Sequence, residues 1–149
     1  FRYSLSEVWE TGRPLVMFLM MNPSVAGPEH ADPTLIKTGK YARAWGYGGQ
    51  LVGNVHAYRV TDSGLLVEAE DPVGPENDAF LRAAARRAAR VIVAWGAAGP
   101  RDGRADEVAR ILRDAWCLGM TRDGSPRHPL YASGSASAVR WPLLYCDLS

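Results

Sequence analysis

Leu15 to Met21 reads LVMFLMM, seven apolar residues with no polar break. A half-buried strand alternates apolar and polar residues, whereas an unbroken run this short suits a strand covered on both faces. Three further runs follow at roughly regular intervals. Leu51 to Val55 (LVGNV) is interrupted by Asn54, and Val91 to Trp95 (VIVAW) is rich in β-branched residues. A weaker fourth strand is expected between Cys117 and Arg127, just before His128-Pro129. Helical patterns separate these runs. Asp32-Pro33 has the form of an N-cap followed by proline at the first helical position, and the pattern runs to Trp45-Gly46. Ser63 to Ala69 is a short helical segment. Pro75 to Ala89 carries acids early and arginines late, matching the helix dipole. Ala105, Val108, Ala109, Leu112, Ala115 and Trp116 keep helical spacing until Gly119.

Strands alternating with helices imply right-handed crossovers and a mainly parallel sheet. The expected fold is α/β: a three-layer α/β/α sandwich around a mainly parallel four-stranded sheet. Arg2 to Glu10 alternates enough to add an antiparallel edge strand, and Ala132 to Ala138 reads as a loop or frayed end. The 149 residues suit a single domain, 1–149, because a split would leave two marginal cores. Hydrophobic residues at 47% and charged residues at 22% argue against disorder. No apolar run approaches the ~20 residues of a membrane helix, so no membrane partner is expected. Nothing at the front has a signal-peptide pattern, and a cytoplasmic location is the expectation. Cys117 and Cys146 are too few for a disulfide framework or a metal cluster. Cys117, placed on a helix, reads as inert. His30 and His56 share no ligand-like spacing with His128, so neither metal nor other cofactor is expected.

The formal charge of +1 conceals an uneven distribution. Phe1 to Leu81 holds six basic against ten acidic residues, and Arg82 to Arg140 holds eleven arginines against five acids. Only Lys37 and Lys40 are lysines. Arginine is the better bidentate partner for phosphate, and it is also the basic residue a GC-rich genome writes. The pattern predicts a moderately basic lip along one side of a pocket.

Ligands of open parallel sheets bind outside the carboxyl ends of the strands. Asn22-Pro23-Ser24 follow the first strand, Asn54 sits near the end of the second, Trp95-Gly96 end the third, and His128-Pro129 follow the fourth. Two amides, a hydroxyl and an imidazole on one rim can read a polar planar ligand, since an amide offers both donor and acceptor. Asn22 also suits a turn before proline, Trp95 a core wall, and His128 a loop. Asn54 lies inside an apolar strand, where an unpaired amide costs about 1–3 kcal/mol.

At these residues the sequence resembles the uracil-DNA glycosylase superfamily. Met21-Asn22-Pro23-Ser24 resembles the Asn-Pro form of its first motif, and Gly53-Asn54-Val55 with Arg59 its second-strand segment. Val93-Ala94-Trp95-Gly96 is similar to its strand-end Trp-Gly, and His128-Pro129-Leu130-Tyr131 to its His-Pro-Ser motif. A closer, whole-chain resemblance is to a bacterial domain family of unknown function, carried by Met-Asn-Pro-Ser, Asp32-Pro33-Thr34, Trp45 to Gly48, Asp71 to Asp78 and the His-Pro-Leu-Tyr segment. The glycosylase resemblance implies that Asn22 positions a water, that Asn54 hydrogen-bonds an extruded base, and that His128 stabilises charge on that base. Pro23, Ser24, Trp95 and Gly96 would line the base pocket, and Arg59 and Arg127 would meet phosphate. This chain departs from the family in several places. No acid stands at Asn22, no aromatic lies within residues 33–37, so Tyr41 or Trp45 would have to supply stacking, and Leu130 replaces a small residue. The two cysteines also cannot hold the iron–sulfur cluster of the thermophile branch. Three functions remain open: an enzyme excising a damaged or modified base from DNA, a non-catalytic nucleic-acid or nucleotide binder, and an enzyme acting on free nucleosides or nucleotides. Protein partners are not legible.

Overall fold

A computed structural model describes residues 4–21, 32–55, 76–97, 103–112 and 114–142. In chain order the elements are β1 (Ser4–Val8), β2 (Leu15–Met20), α1 (Pro33–Ala44), β3 (Gly49–Asn54), α2 (Asn77–Arg87), β4 (Ala88–Val93), α3 (Arg104–Ile111), β5 (Trp116–Cys117) and β6 (Val139–Arg140). The sheet order is β1-β3-β2-β4-β5-β6. β3, β2, β4 and β5 run parallel to one another, and β1 and β6 close the two edges antiparallel. Among the described residues the sheet is therefore mixed and six-stranded, a correction to the expected mainly parallel four-stranded sheet with one antiparallel edge strand. Its second edge escapes the sequence pattern because a two-residue strand has no period to read.

Covered on both faces, β2 is buried from Val16 to Met20. Met17 and Leu19 join Leu51, Val91 and Val93 in the cluster under α2 and α3, while Val16, Phe18 and Met20 join Val52, Ile92 and Ala94 beneath α1. The unbroken apolar run thus serves two cores at once. Helix α1 starts as its sequence suggests: the Asp32 carboxylate accepts from Thr34 N at 2.8 Å, with Pro33 at the first position. Its buried tie to β3 is polar, with Thr38 Oγ1 on Gln50 Oε1 at 2.6 Å and Gln50 Nε2 on the Leu35 carbonyl at 3.2 Å.

Two boundaries differ from expectation. α2 ends at Arg87 and β4 begins at Ala88 with no intervening loop; the register slips between Leu15 and Val16, leaving Ala89 as an extra residue on β4. α3 stops at Ile111, and Trp116 and Cys117 belong to a strand. From Ala115 the side chains alternate as in a strand: Ala115 and Cys117 pack into one core, Trp116 and Leu118 into the other. Cys117 is thus a buried strand residue, and its burial pushes the thiol pKa up, opposed by a hydrogen bond from the Gly119 backbone. Ala132 to Ala138 is a loop rather than a frayed end, with Ala132 buried and the Ser133 carbonyl accepting from Tyr41. The segment Ser63 to Ala69 and Cys146 lie outside the described residues.

Candidate functional site at the carboxyl edge

β2, β3 and β4 end at one level. Met20 faces Asn54 in register, Val55 N donates to the Met20 carbonyl at 2.8 Å, and Ala94 N donates to the Leu19 carbonyl at 2.8 Å. The two-residue period that puts Met20 and Val52 beneath α1 puts Asn54 on that same face, where it is buried.

The strand end carrying Asn54 is held from behind. Asn77, the first residue of α2 and fully buried, donates from Nδ2 to the Asn54 carbonyl at 2.8 Å and the Val55 carbonyl at 3.2 Å. Arg104, the first residue of α3 and 1% exposed, donates from Nε to the Val55 carbonyl at 2.8 Å. Its Nη1 meets Glu107 Oε2 at 3.0 Å. Its Nη2 approaches Asp78 Oδ1 to 2.6 Å without the alignment of a hydrogen bond, so that contact is an ion pair. No described donor reaches Asn77 Oδ1, a buried acceptor left over at this edge. Neither Asn77 nor Arg104 stands out in the sequence reading, although one signal was there. A cation in the first turn of a helix opposes the dipole, so Arg104 needs another reason for its position.

His128 follows β5 through a turn in which Met120 bridges Pro126. Gly96, just past the end of β4, has φ +87°, and a β-carbon there would come within 2.9 Å of His128 Cβ. Gly96 N donates to the Pro126 carbonyl at 2.9 Å, so the backbone at residue 96 seats the imidazole directly. The ring's Nδ1 accepts from Leu130 N at 3.2 Å at the start of a 3-10 turn over Pro129–Tyr131. A ring nitrogen that accepts an amide proton carries none itself, which places the neutral ring's hydrogen on Nε2. Burial lowers the His128 pKa; the Asp32 carboxylate opposes that and the Lys37 ammonium adds to it. The ring is therefore a neutral Nε2–H donor at neutral pH. Lys37 pins the turn, donating to the Ala132 carbonyl at 2.6 Å and more loosely to that of Leu130 at 3.5 Å. Tyr131, 81% exposed, stands with its ring centroid 6.0 Å from that of His128, and Leu130 beside it is also exposed. The sequence presents these two residues as part of the His-Pro-Leu-Tyr motif, with Leu130 a departure from the glycosylase pattern, and gives no sign of their exposure.

Tyr41, Trp45 and Trp95 stand in the cores. Tyr41 is buried, stacks on Trp45 at 5.3 Å and donates to the Ser133 carbonyl at 2.5 Å; Trp45 stacks on Phe18 in turn. Both rings pack within the α1-side core rather than standing on an open rim. Trp95 packs edge-on against Trp141 at 5.3 Å in the core of the opposite face. Arg127 is exposed next to His128. Asn22, Pro23, Ser24 and Arg59, like His30 and His56, lie outside the described residues. Among the described arginines, Arg82, Arg86, Arg90 and Arg110 line a cleft at the amino edge of the sheet. Among the described residues no three His, Cys, Asp or Glu side chains are grouped to hold a metal, and no helix is long and apolar enough to cross a membrane.

These features define an α/β protein with a mixed, centrally parallel sheet and a polar corner where its parallel strands end. The chain belongs to a family of proteins of unknown function, DUF1643, which matches residues 2–130. No curated protein and no solved structure matches it.

Proposed function

We propose that the carboxyl edge receives a nucleobase and that the protein hydrolyses its N-glycosidic bond in DNA. Asn54 reads the polar edge of the base, and His128 donates from Nε2 to the negative charge that grows on the base as the bond breaks. Asn22 completes the reading by holding the water, which gives its hydroxyl to the sugar carbon and its proton to the departing base. The observation that carries this is the fixed neutral tautomer of His128, at the same edge and on the same side as Asn54. A preorganised donor aimed at developing charge is an efficient catalytic element.

Release of uracil, hypoxanthine and xanthine from single- and double-stranded DNA tests it directly. His128→Ala is expected to lower turnover by about 10²–10³-fold, the usual effect of losing one such donor. Turnover should stay level through neutrality and fall only below the ordinary histidine range, because a protonated Nδ1 can no longer accept from Leu130 N. A rate that climbs toward acid would make His128 a general acid and defeat this assignment. DNA binding without release of any base would leave a binder.

Tyr131 supplies an exposed ring beside the site. Stacking on a base is worth about 1–3 kcal/mol, so Tyr131→Ala should weaken single-stranded oligonucleotide binding about tenfold or more. The melting temperature should not change, because the ring is mostly in solvent. One observation favours a second reading, hydrolysis of free nucleosides: the cluster of Arg82, Arg86, Arg90 and Arg110 lies at the edge opposite His128. Release of base from nucleosides but not from DNA would select it.

A further inference from the structure

At the amino edge, the C-terminal ends of α2 and α3 meet the first residues of β4 around a cleft of about 660 Å³. Arg82, Arg86, Arg90 and Arg110 line it, with Asp114 the one acidic residue among the described lining residues and Val91 part of its wall. Helix dipoles explain some of this charge. Each helix C-terminus carries roughly half a negative charge, so among the described residues the two ends and Asp114 balance about two of the four guanidinium groups and leave roughly two positive charges over at the cleft. Arg82 and Arg86, four apart on one helix, repel each other and weaken it slightly. Arg82, Arg86 and Arg110 make no ion pair with another described residue. The Arg90 guanidinium carbon lies 4.0 Å from the centroid of the Trp116 ring, a cation–π contact that restrains it at the cleft. The extra residue Ala89 sits at this spot, where a bulge re-aims the side chains that follow it.

We propose that this cleft is a second site, binding a small anion that carries two or more phosphate groups. Planar guanidinium forks converging from two helices and a strand fit phosphate oxygens, and each added phosphate recruits another fork. The volume falls in the small-ligand range of ~300–1,000 Å³. A cleft bounded by two helix ends favours a nucleotide-like or inorganic oligophosphate over the continuous backbone of a nucleic acid. The site lies at the far edge of the sheet from His128 and is independent of the base-directed chemistry proposed there.

Calorimetric titration of the full chain in low salt with inorganic tripolyphosphate, ATP and a twelve-nucleotide oligothymidylate tests the proposal. Tripolyphosphate and ATP should bind, with affinity falling steeply as salt rises. Arg86→Ala with Arg110→Ala should weaken both by about 100-fold, at about tenfold for each charge-assisted contact. Arg86→Lys with Arg110→Lys should recover part of the loss. The alanine pair should melt no lower than the parent, since it relieves repulsion. If it does not fold, Arg82→Gln, on an exposed helix position, should still give a several-fold loss. No binding of either phosphate probe, binding unaffected by these substitutions, or arginine-dependent binding of the oligonucleotide alone would each overturn it. Base release, if the protein performs it, should survive the alanine pair and fail in His128→Ala, so the two edges are tested separately.

Discussion

Removing both carboxylates from Arg104, by Asp78→Ala with Glu107→Ala, should cost about 3–5 kcal/mol of unfolding free energy. Replacing Arg104 itself by methionine should cost less, about 1–3 kcal/mol. The order follows from where each group stands. The guanidinium is 1% exposed, whereas the side chains of Asp78 and Glu107 are 44% and 53% exposed. Without the arginine, both acids can rehydrate, and the main loss is the Nε donor to the Val55 carbonyl. Without the acids, a positive charge remains buried and short of two counter-charges. Combining all three substitutions should therefore recover stability relative to the acid-free protein. Urea melts of the four variants check this; an Arg104→Met protein less stable than the double alanine would show that the buried charge is not the controlling term. The consequence for the site is local. Asn77 and Arg104 together place three donor contacts on two consecutive carbonyls, so the end of β3, and with it Asn54, loses its anchor when the clamp is broken.

That clamp marks where sequence reading stops. The central strands are legible because a strand buried on both faces needs no partner to explain its composition: Leu15 to Met20 and Val91 to Val93 are apolar throughout. Asp32-Pro33 is legible because a cap is a local event. Asn54 draws attention for a local reason too, an amide within an apolar run. The contacts that hold these residues are not local. Asn77 and Arg104 reach the Val55 carbonyl across 22 and 49 residues, and Lys37 reaches that of Ala132 across 95. No periodicity encodes such pairings. The enclosure of Tyr41 is hidden for the same reason, since it depends on Trp45 and on a carbonyl 92 residues away. The arginine-rich half was visible as composition, but which edge of the sheet those arginines occupy is decided by topology. α2 and α3 both run toward the amino edge, and their last turns carry the charge there.

Gly96→Ala should damage both fold and site. At φ +87° an L-residue is strained by about 1–2 kcal/mol, and its β-carbon would lie 2.9 Å from His128 Cβ, close to the backbone rather than at the end of a flexible chain. Relieving that overlap means moving the segment from Pro126 to His128, and such overpacking costs a further ~1–3 kcal/mol. A total loss of about 2–5 kcal/mol in urea melts is expected from these two costs together. The proton linkage should change with it. Burial lowers the His128 pKa below its ordinary value of 6.5, so in acid the unfolded chain binds the proton that the folded chain refuses. That contribution to stability is whole above 6.5 and is lost as pH falls through the ordinary value toward the folded one. A ring pushed outward by the added methyl group regains water, its pKa returns toward 6.5, and the acid loss attributable to His128 shrinks. NMR titration resolving His128, with His128→Gln as the control for the other two histidines, reads this directly. A Gly96→Ala protein that melts like the parent, with His128 titrating at the same lowered pH, would mean that the close approach at residue 96 does not seat the imidazole.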